Sequence, residues 1–263
     1  MKRLRILIRR LLVSFRYHLE RWNISPNVYP RQIMQTRFGI QGIIFEVHNL
    51  FETNRVIFYD DEEDFLSKLL SDLREHDVFF DIGACIGLFS IHAAKRCKQV
   101  YAFEPDPEFR EHLKRNVSIN NLENLSVLPY AISDQTSTLT LFTDGANGKS
   151  PSLENNNFQN SIDVEARTLS ELVLQGALPY PTVIKMDIEG AEILALRGME
   201  ELLDKDSPRL IFLELHPVLL THFGSSSTAV LSILEEAGYR IRFKSQREEQ
   251  VHYVFERDVP VIA

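Results

Sequence analysis

The densest chemistry in the chain lies in Lys185-Met186-Asp187-Ile188-Glu189-Gly190-Ala191-Glu192, where carboxylates and a lysine crowd one short segment. Acids at a helix start meet unpaired N–H groups and the positive end of the dipole. That accounts for Glu189 or Glu192, but not for the whole set with Lys185 beside it. A second group follows in Phe212-Leu213-Glu214-Leu215-His216-Pro217. Period-two alternation puts Phe212, Glu214 and His216 on one face, and a charge inside an apolar strand needs a partner or a task. Groups of these types can take a proton from a hydroxyl, which is a poor nucleophile unaided at neutral pH. His216 is the first candidate for that base and Glu189 or Glu192 the second, with Lys185 orienting the carboxylates or stabilising an alkoxide. Asp187, Glu189, Glu192, Glu214 and His216 would also suit an oxygen-rich Mg²⁺ site. Because Lys185 already neutralises charge there, the reading is of a site without metal.

A second constellation is Asp81-Ile82-Gly83-Ala84-Cys85-Ile86-Gly87, after an apolar run. Gly83 and Gly87 allow a tight turn and close approach of a ligand to the backbone. A G-x-G-x-x-G dinucleotide fingerprint would also need glycine at the positions held by Cys85 and Leu88. The missing middle glycine is the one that lets a pyrophosphate approach. Glu104, in Phe103-Glu104-Pro105, lies at the distance where an acid accepts from ribose hydroxyls, so the pair fits an adenosine-containing cofactor. A helix-dipole role would place an acid there too. Ala131-Ile132-Ser133-Asp134 falls where an adenine could lie along the backbone, although Ser133 and Asp134 are also ordinary turn residues.

These residues are useful only if strand ends gather them, and the pattern supplies the strands. From residue 78 the chain alternates. Strands are predicted at Val78–Phe80, Val100–Phe103, Leu125–Ile132, Thr182–Met186 and Leu210–Leu215. Helices are predicted at Leu88–Cys97, Pro107–Asn120, Ala191–Leu203 and Thr228–Ala237. A repeating βαβ series means a parallel sheet with helices on both faces. The last two strands, Arg240–Phe243 and Val251–Phe255, have no helix between them, so one runs antiparallel near an edge. Leu139–Phe142 reads as a β excursion, and 144–160 as a polar loop. Before the series, Gly42–Val47 and Arg55–Tyr59 read as a hairpin around Glu52-Thr53-Asn54, and Asp64–Leu73 as a helix.

The bulk properties are those of a globular protein, with 44% hydrophobic and 25% charged residues. A net charge of −8 argues against a nucleic-acid partner. Residues 1–22 depart from this acidity, with Lys2, Arg3, Arg5, Arg9, Arg10, Arg16 and Arg21 set against Glu20. Their apolar residues recur at helical spacing. A basic amphipathic helix results, either capping the domain or making peripheral contact with a membrane. No apolar run there is long enough to span a bilayer, and Cys85 and Cys97 read as reduced thiols, so a cytoplasmic protein is expected. The organisation expected is a helix and strand extension over 1–54 and a Rossmann-like domain over 55–263.

With these segments assembled, the chain resembles the FkbM family of methyltransferases. The likeness rests on Val78 to Gly87, Phe103-Glu104-Pro105, Arg167-Thr168-Leu169, the Ile184 to Glu192 block and Glu214-Leu215-His216-Pro217. It covers roughly 55–220, and Asp187-Ile188-Glu189-Gly190-Ala191-Glu192 is its most specific part. The resemblance implies a class I methyltransferase fold with a seven-stranded sheet. It also implies S-adenosylmethionine as cofactor and O-methylation of a sugar, glycolipid or small metabolite. It assigns Asp81, Gly83, Gly87 and Glu104 to the cofactor, and Ala84, Pro105, Ala131 and Asp187 are placed with them. Two departures stand out. Cys85 occupies a position where the family usually has a small polar residue such as Asn, at the methionine end of the pocket. Ser170 follows Thr168-Leu169 where Asp is usual.

Three rival classes fit the residues less well. A nicotinamide oxidoreductase lacks its glycines here. A DNA amino-methylase would carry an Asn/Asp-Pro-Pro-Tyr-like motif where this chain has Asp187-Ile188-Glu189-Gly190. A non-catalytic binding module would have no need of Asp81, Glu104 and Glu189 together.

Overall fold

Alternation along each strand divides the molecule into two cores. In Val78–Ile82, Phe79 packs with Val100, Val183 and Phe212 on one face, against Phe65, Ile91 and Phe109 from helices. Phe80 and Ile82 point the other way, with Ile184, Ile211 and Leu213, against Ile193, Leu196 and Leu234. Strands covered on both faces read as continuous apolar runs, and Leu210–Leu215 is buried throughout.

The computed structural model describes residues 29–57 and 63–257, apart from 37, 146–149, 156, 204, 206 and 248. The basic segment 1–22 therefore lies outside the described residues. In chain order the strands are β1 (Arg31–Gln35), β2 (Ile43–Val47), β3 (Val78–Ile82), β4 (Gln99–Phe103), β5 (Leu125–Leu128) and β6 (Ala131–Ile132). They continue as β7 (Ser137–Phe142), β8 (Ser161–Arg167), β9 (Val183–Met186), β10 (Leu210–Leu215), β11 (Arg240–Arg247) and β12 (Gln250–Glu256). Seven form one sheet in the order β11-β12-β10-β9-β3-β4-β5. β3, β4, β5, β9 and β10 are parallel, and β12 runs antiparallel to both β10 and β11. This is the mostly parallel α/β sheet with a reversed edge-proximal strand that the sequence predicts. The chain leaves β3 toward β4 and β5, then crosses back to β9, so the crevice opens at the carboxyl ends of β3 and β9.

Several local expectations are corrected. Arg55–Tyr59 is not a strand: Leu50–Ile57 is a helix, and 58 and 59 lie outside the described residues. Asn49 starts the helix, its side chain accepting from the Glu52 N–H at 2.9 Å, and Leu50, Thr53 and Val56 bury one face. The partner of β2 is instead β1. The expected division at 54/55 falls inside this helix. β2 is fastened to the helix Pro107–Ile119, where Asn116 and Asn120 accept from the Glu46 and Ile44 N–H groups at 2.7 and 2.9 Å.

The third strand of the series stops at Leu128, because Pro129 lacks the N–H a ladder needs. Ala131–Ile132 belongs to a separate sheet of order β6-β8-β7. β8 had no predicted counterpart, although Ile162, Val164 and Ala166 carry a period of two. The predicted helix Ala191–Leu203 is two, Glu192–Arg197 and Glu200–Leu203. The break is at Gly198, where a Cβ would lie 1.9 Å from the Ser133 carbonyl oxygen. Among the described residues no single helix is long and apolar enough to cross a membrane.

Candidate functional site

The turn after β3 is set by backbone conformation. Gly83 has φ of +81°, and its N–H and that of Ala84 donate to the Phe103 carbonyl at 3.1 and 3.0 Å. A Cβ on Gly83 would lie 2.0 Å from the Asp187 carbonyl oxygen, so glycine is what lets the ends of β3 and β9 approach. At Gly87, φ is +91° and a Cβ would lie 2.4 Å from Leu113.

Glu104, at the end of β4, is buried and accepts from the Cys85 N–H at 2.7 Å and the Asp106 N–H at 2.9 Å. Burial pushes its carboxyl up to about 7 against the pull of those two bonds, with Asp106 adding to the rise and Arg110 opposing it. The carboxylate faces a cavity lined also by Gly83, Pro105, Ala131, Asp187 and Glu189. Phe103, Tyr130, Ile132 and Leu141 give the cavity apolar walls.

Other predicted site residues stand behind this cavity and do not line it. Asp81 is fully buried, accepts from Ser90 Oγ at 2.5 Å and lies 3.3 Å from Lys185 Nζ. Lys185, its register partner on β9, also lies 3.6 Å from Asp187 and donates to the Gly83 carbonyl at 3.1 Å. Asp81 and Lys185 thus tie the glycine turn to β9. Ala84 and Gly87 likewise act through the shape of the turn.

The β9 and β10 ends converge. His216 Nδ1 lies 2.6 Å from Glu192 Oε1, which also accepts from the Gly190 N–H at 3.0 Å. His216 Nε2 lies 3.5 Å from Glu189 Oε2 and 3.8 Å from Asp187 Oδ1. Burial works against charge on His216. The hydrogen bond to Glu192 and the carboxylates of Glu192, Asp187 and Glu189 outweigh it and lift the ring to about 10. At neutral pH it is an imidazolium, so Nε2 carries a proton where a base needs a lone pair. Asp187 is the reverse case: burial would raise it, but Lys185 and His216 hold it down at about 2. Glu189 is raised to about 7 by burial, with His216 pulling down and Asp187 pushing up. Its backbone has φ of +51°, a conformation that costs a non-glycine residue about 1 kcal/mol or more.

Glu189 also borders a second depression, lined by His216, Val218, Leu219, Arg247, Glu249 and Gln250. Sequence reasoning missed Arg247, which comes from the terminal hairpin, and Arg55, which it placed in a strand. Ser150, Ser152 and Leu153, from the polar loop 144–160, also line the first cavity.

The first cavity fits the donor that the family resemblance implies. Its described lining carries Glu104, Asp187 and Glu189 against Arg55 alone, a balance that suits a sulfonium cation and disfavours a pyrophosphate. Ribose hydroxyls could donate to the remaining lone pairs of Glu104.

Comparison with known proteins gives the family. The chain is 29% identical over 195 residues to the hexuronic acid methyltransferase AglP of Haloferax volcanii, covering 73% of this chain and 76% of that one. It is 27% identical over 165 residues to the methyltransferase sdnD of Sordaria araneosa, covering 50% of this chain and 64% of that one. Among solved structures, the methyltransferase FkbM from Methylobacillus flagellatus KT superposes with a TM-score of 0.49 at 19% identity. That match covers 72% of this chain and 46% of the other. The model of the methyltransferase FkbM domain matches residues 81–241, more than half of the chain and inclusive of the ends of β3, β4, β9 and β10. The chain therefore belongs to the FkbM methyltransferases, and its methyl donor is S-adenosylmethionine.

Proposed function

We propose that this methyltransferase acts on a hydroxyl of a glycan or small metabolite, with the donor in the Gly83–Glu104 cavity and the acceptor in the depression beyond Glu189. The observation that carries the reading is that Glu189 borders both spaces. S-adenosylmethionine supplies an activated methyl group on a good leaving group. The protein's share is alignment, exclusion of water and removal of one proton. The likeness to AglP, a hexuronic acid methyltransferase by name, supports a sugar acceptor.

Within this reading Glu104 holds the ribose, and Pro105 and Ala131 border the nucleoside. Gly83, Ala84, Gly87 and Asp81 form the turn beneath it. Asp187, kept ionised beside Lys185, faces the methionine portion. Glu189 is the general base: burial raises its proton affinity into the range where it is both ionised and effective near neutral pH. His216 and Glu192 are positioning residues, the imidazolium holding Glu189 and Asp187 in place. No metal is called for. Asp187, Glu214 and His216 each offer an atom within 4.8 Å of the others. Lys185 lies 3.6 Å from Asp187, and Arg247 lies 3.2 Å from Glu214, so cationic side chains already offset these acids. Activity unchanged after dialysis against a chelator is expected, and a loss restored by Mg²⁺ would overturn that part.

The test is methyl transfer from labelled S-adenosylmethionine to a panel of sugars, uronic acids and small hydroxylated metabolites. Turnover on any of them with an ether product supports the reading. Transfer to an amine, or binding of the donor with no transfer to any acceptor class, counts against it.

A further inference from the structure

S-adenosylmethionine carries an α-carboxylate as well as its sulfonium, and a carboxylate taken out of water needs a cation or strong donors. The donor cavity is acidic, and Arg55 is the only cationic side chain among its described lining residues. Arg55 comes from the helix Leu50–Ile57, upstream of the family-matched region. Its guanidinium donates to Ser150 Oγ at 3.0 Å, which joins the helix to the loop on the other side of the opening. Its carbon centre lies 5.3 Å from the Phe51 ring centroid. In the cavity lining, Glu104 and Pro105 follow β4 and Tyr130 follows β5, whereas Asp187 and Glu189 follow β9. Ser150 also hydrogen-bonds Glu189, which puts Arg55 on the β9 side of the cavity, the side that the proposed reading gives to the methionine portion.

We propose that Arg55 binds the α-carboxylate of the methyl donor, so that a helix outside the family-matched domain completes the donor site. The geometry favours this over a purely structural role. A guanidinium held at the cavity wall by a serine presents a planar fork that matches a carboxylate. The proposal rests on the assignment of this cavity to the donor.

Calorimetric titration of the full chain with S-adenosylhomocysteine and with 5′-methylthioadenosine separates the two claims. Both ligands keep the adenosine and the sulfur, and only the first carries the carboxylate. Arg55→Gln is expected to weaken S-adenosylhomocysteine roughly 10- to 100-fold and to leave methylthioadenosine within about threefold. Arg55→Lys should recover part of the loss, since it keeps the charge but not the fork. Equal weakening of both ligands, or of neither, overturns the proposal. Glu104→Gln is the control for the cavity itself and should weaken both ligands alike. If it changes neither while Arg55→Gln still discriminates, the carboxylate claim stands and the nucleoside placement falls. If the wild-type chain binds neither ligand, both fall.

Discussion

Glu104, buried, and Glu189, half-buried, both have carboxyls lifted to about 7, yet they sit in opposite kinds of surroundings. Glu104 is held by two backbone N–H groups at the end of a regular strand. Glu189 stands on left-handed backbone, 3.5 Å from a cationic ring, where two open spaces meet. A carboxylate fixed by main-chain donors keeps its lone pairs at set positions, which suits recognition of an unchanging ribose. A carboxylate balanced against a nearby charge has a proton affinity that small changes can tune, which suits proton transfer. Similar proton affinities can thus serve two tasks, and position decides which.

The largest expected effect comes from removing the base. Glu189→Gln should lower kcat by about 100- to 10,000-fold while S-adenosylhomocysteine affinity stays within about threefold. A fall in affinity equal to the fall in kcat would make Glu189 a binding residue and remove the contrast with Glu104. Glu104→Gln should do the opposite. It should weaken the donor about tenfold or more, with kcat at saturation changed far less.

The contrast extends to pH. On the proposed reading ribose hydroxyls donate to the ionised form of Glu104, so donor affinity should be full above about 7 and fall as pH drops through it. The kcat profile should also lose activity on the acid side near 7, through Glu189, whose charged neighbours are His216, Asp187 and Arg55. The two limbs separate in one variant. In Glu192→Gln, His216 loses its hydrogen-bonded carboxylate and returns toward an ordinary imidazole, so Glu189 loses a cation at neutral pH. Its carboxyl should rise, moving the kcat limb alkaline by about one pH unit and leaving the donor-affinity limb in place. Both limbs moving together would mean that one group governs both.

The donor half of the site was far more legible in the sequence than the acceptor half. Gly83, Glu104 and Asp187 lie directly after apolar strands, and in a parallel sheet strand ends converge whatever the loops do. The reversed final strand was also readable, because two strands without an intervening helix have one simple arrangement. Arg55 and Arg247 were not readable. Each reaches the site through an element whose docking depends on tertiary contacts, the helix Leu50–Ile57 through Glu52 and His112, and the terminal hairpin through Arg247 and Glu214. The Arg55 helix is hidden in the sequence because Glu52-Thr53-Asn54 resembles a turn, and only the Asn49 cap marks it as a helix. His216 stands out in the sequence as a histidine at the end of an apolar strand, but its protonation follows from acids that meet it only in the fold. Spacing alone could not show that Glu192 lies 2.6 Å from its ring.

The smallest expected effect concerns Cys85, which stands where the family usually has a small polar residue and has φ of +51°. Its N–H holds Glu104, so the strained residue is part of the recognition half of the comparison. Asparagine tolerates left-handed backbone better than other non-glycine residues, whereas alanine pays the full steric cost between Cβ and the carbonyl. Cys85→Asn and Cys85→Ala both delete the sulfur, so the difference between them isolates the backbone preference. The Asn variant should be more stable by about 0.5–1 kcal/mol, a gap of roughly 1–4 °C in Tm for a domain of this size. It should also bind S-adenosylhomocysteine at least as well as the Ala variant, since the same turn presents the N–H to Glu104. If the two variants melt together and bind alike, the conformation at Cys85 carries no strain worth relieving. The recognition half would then owe its geometry to Gly83 and Gly87 alone.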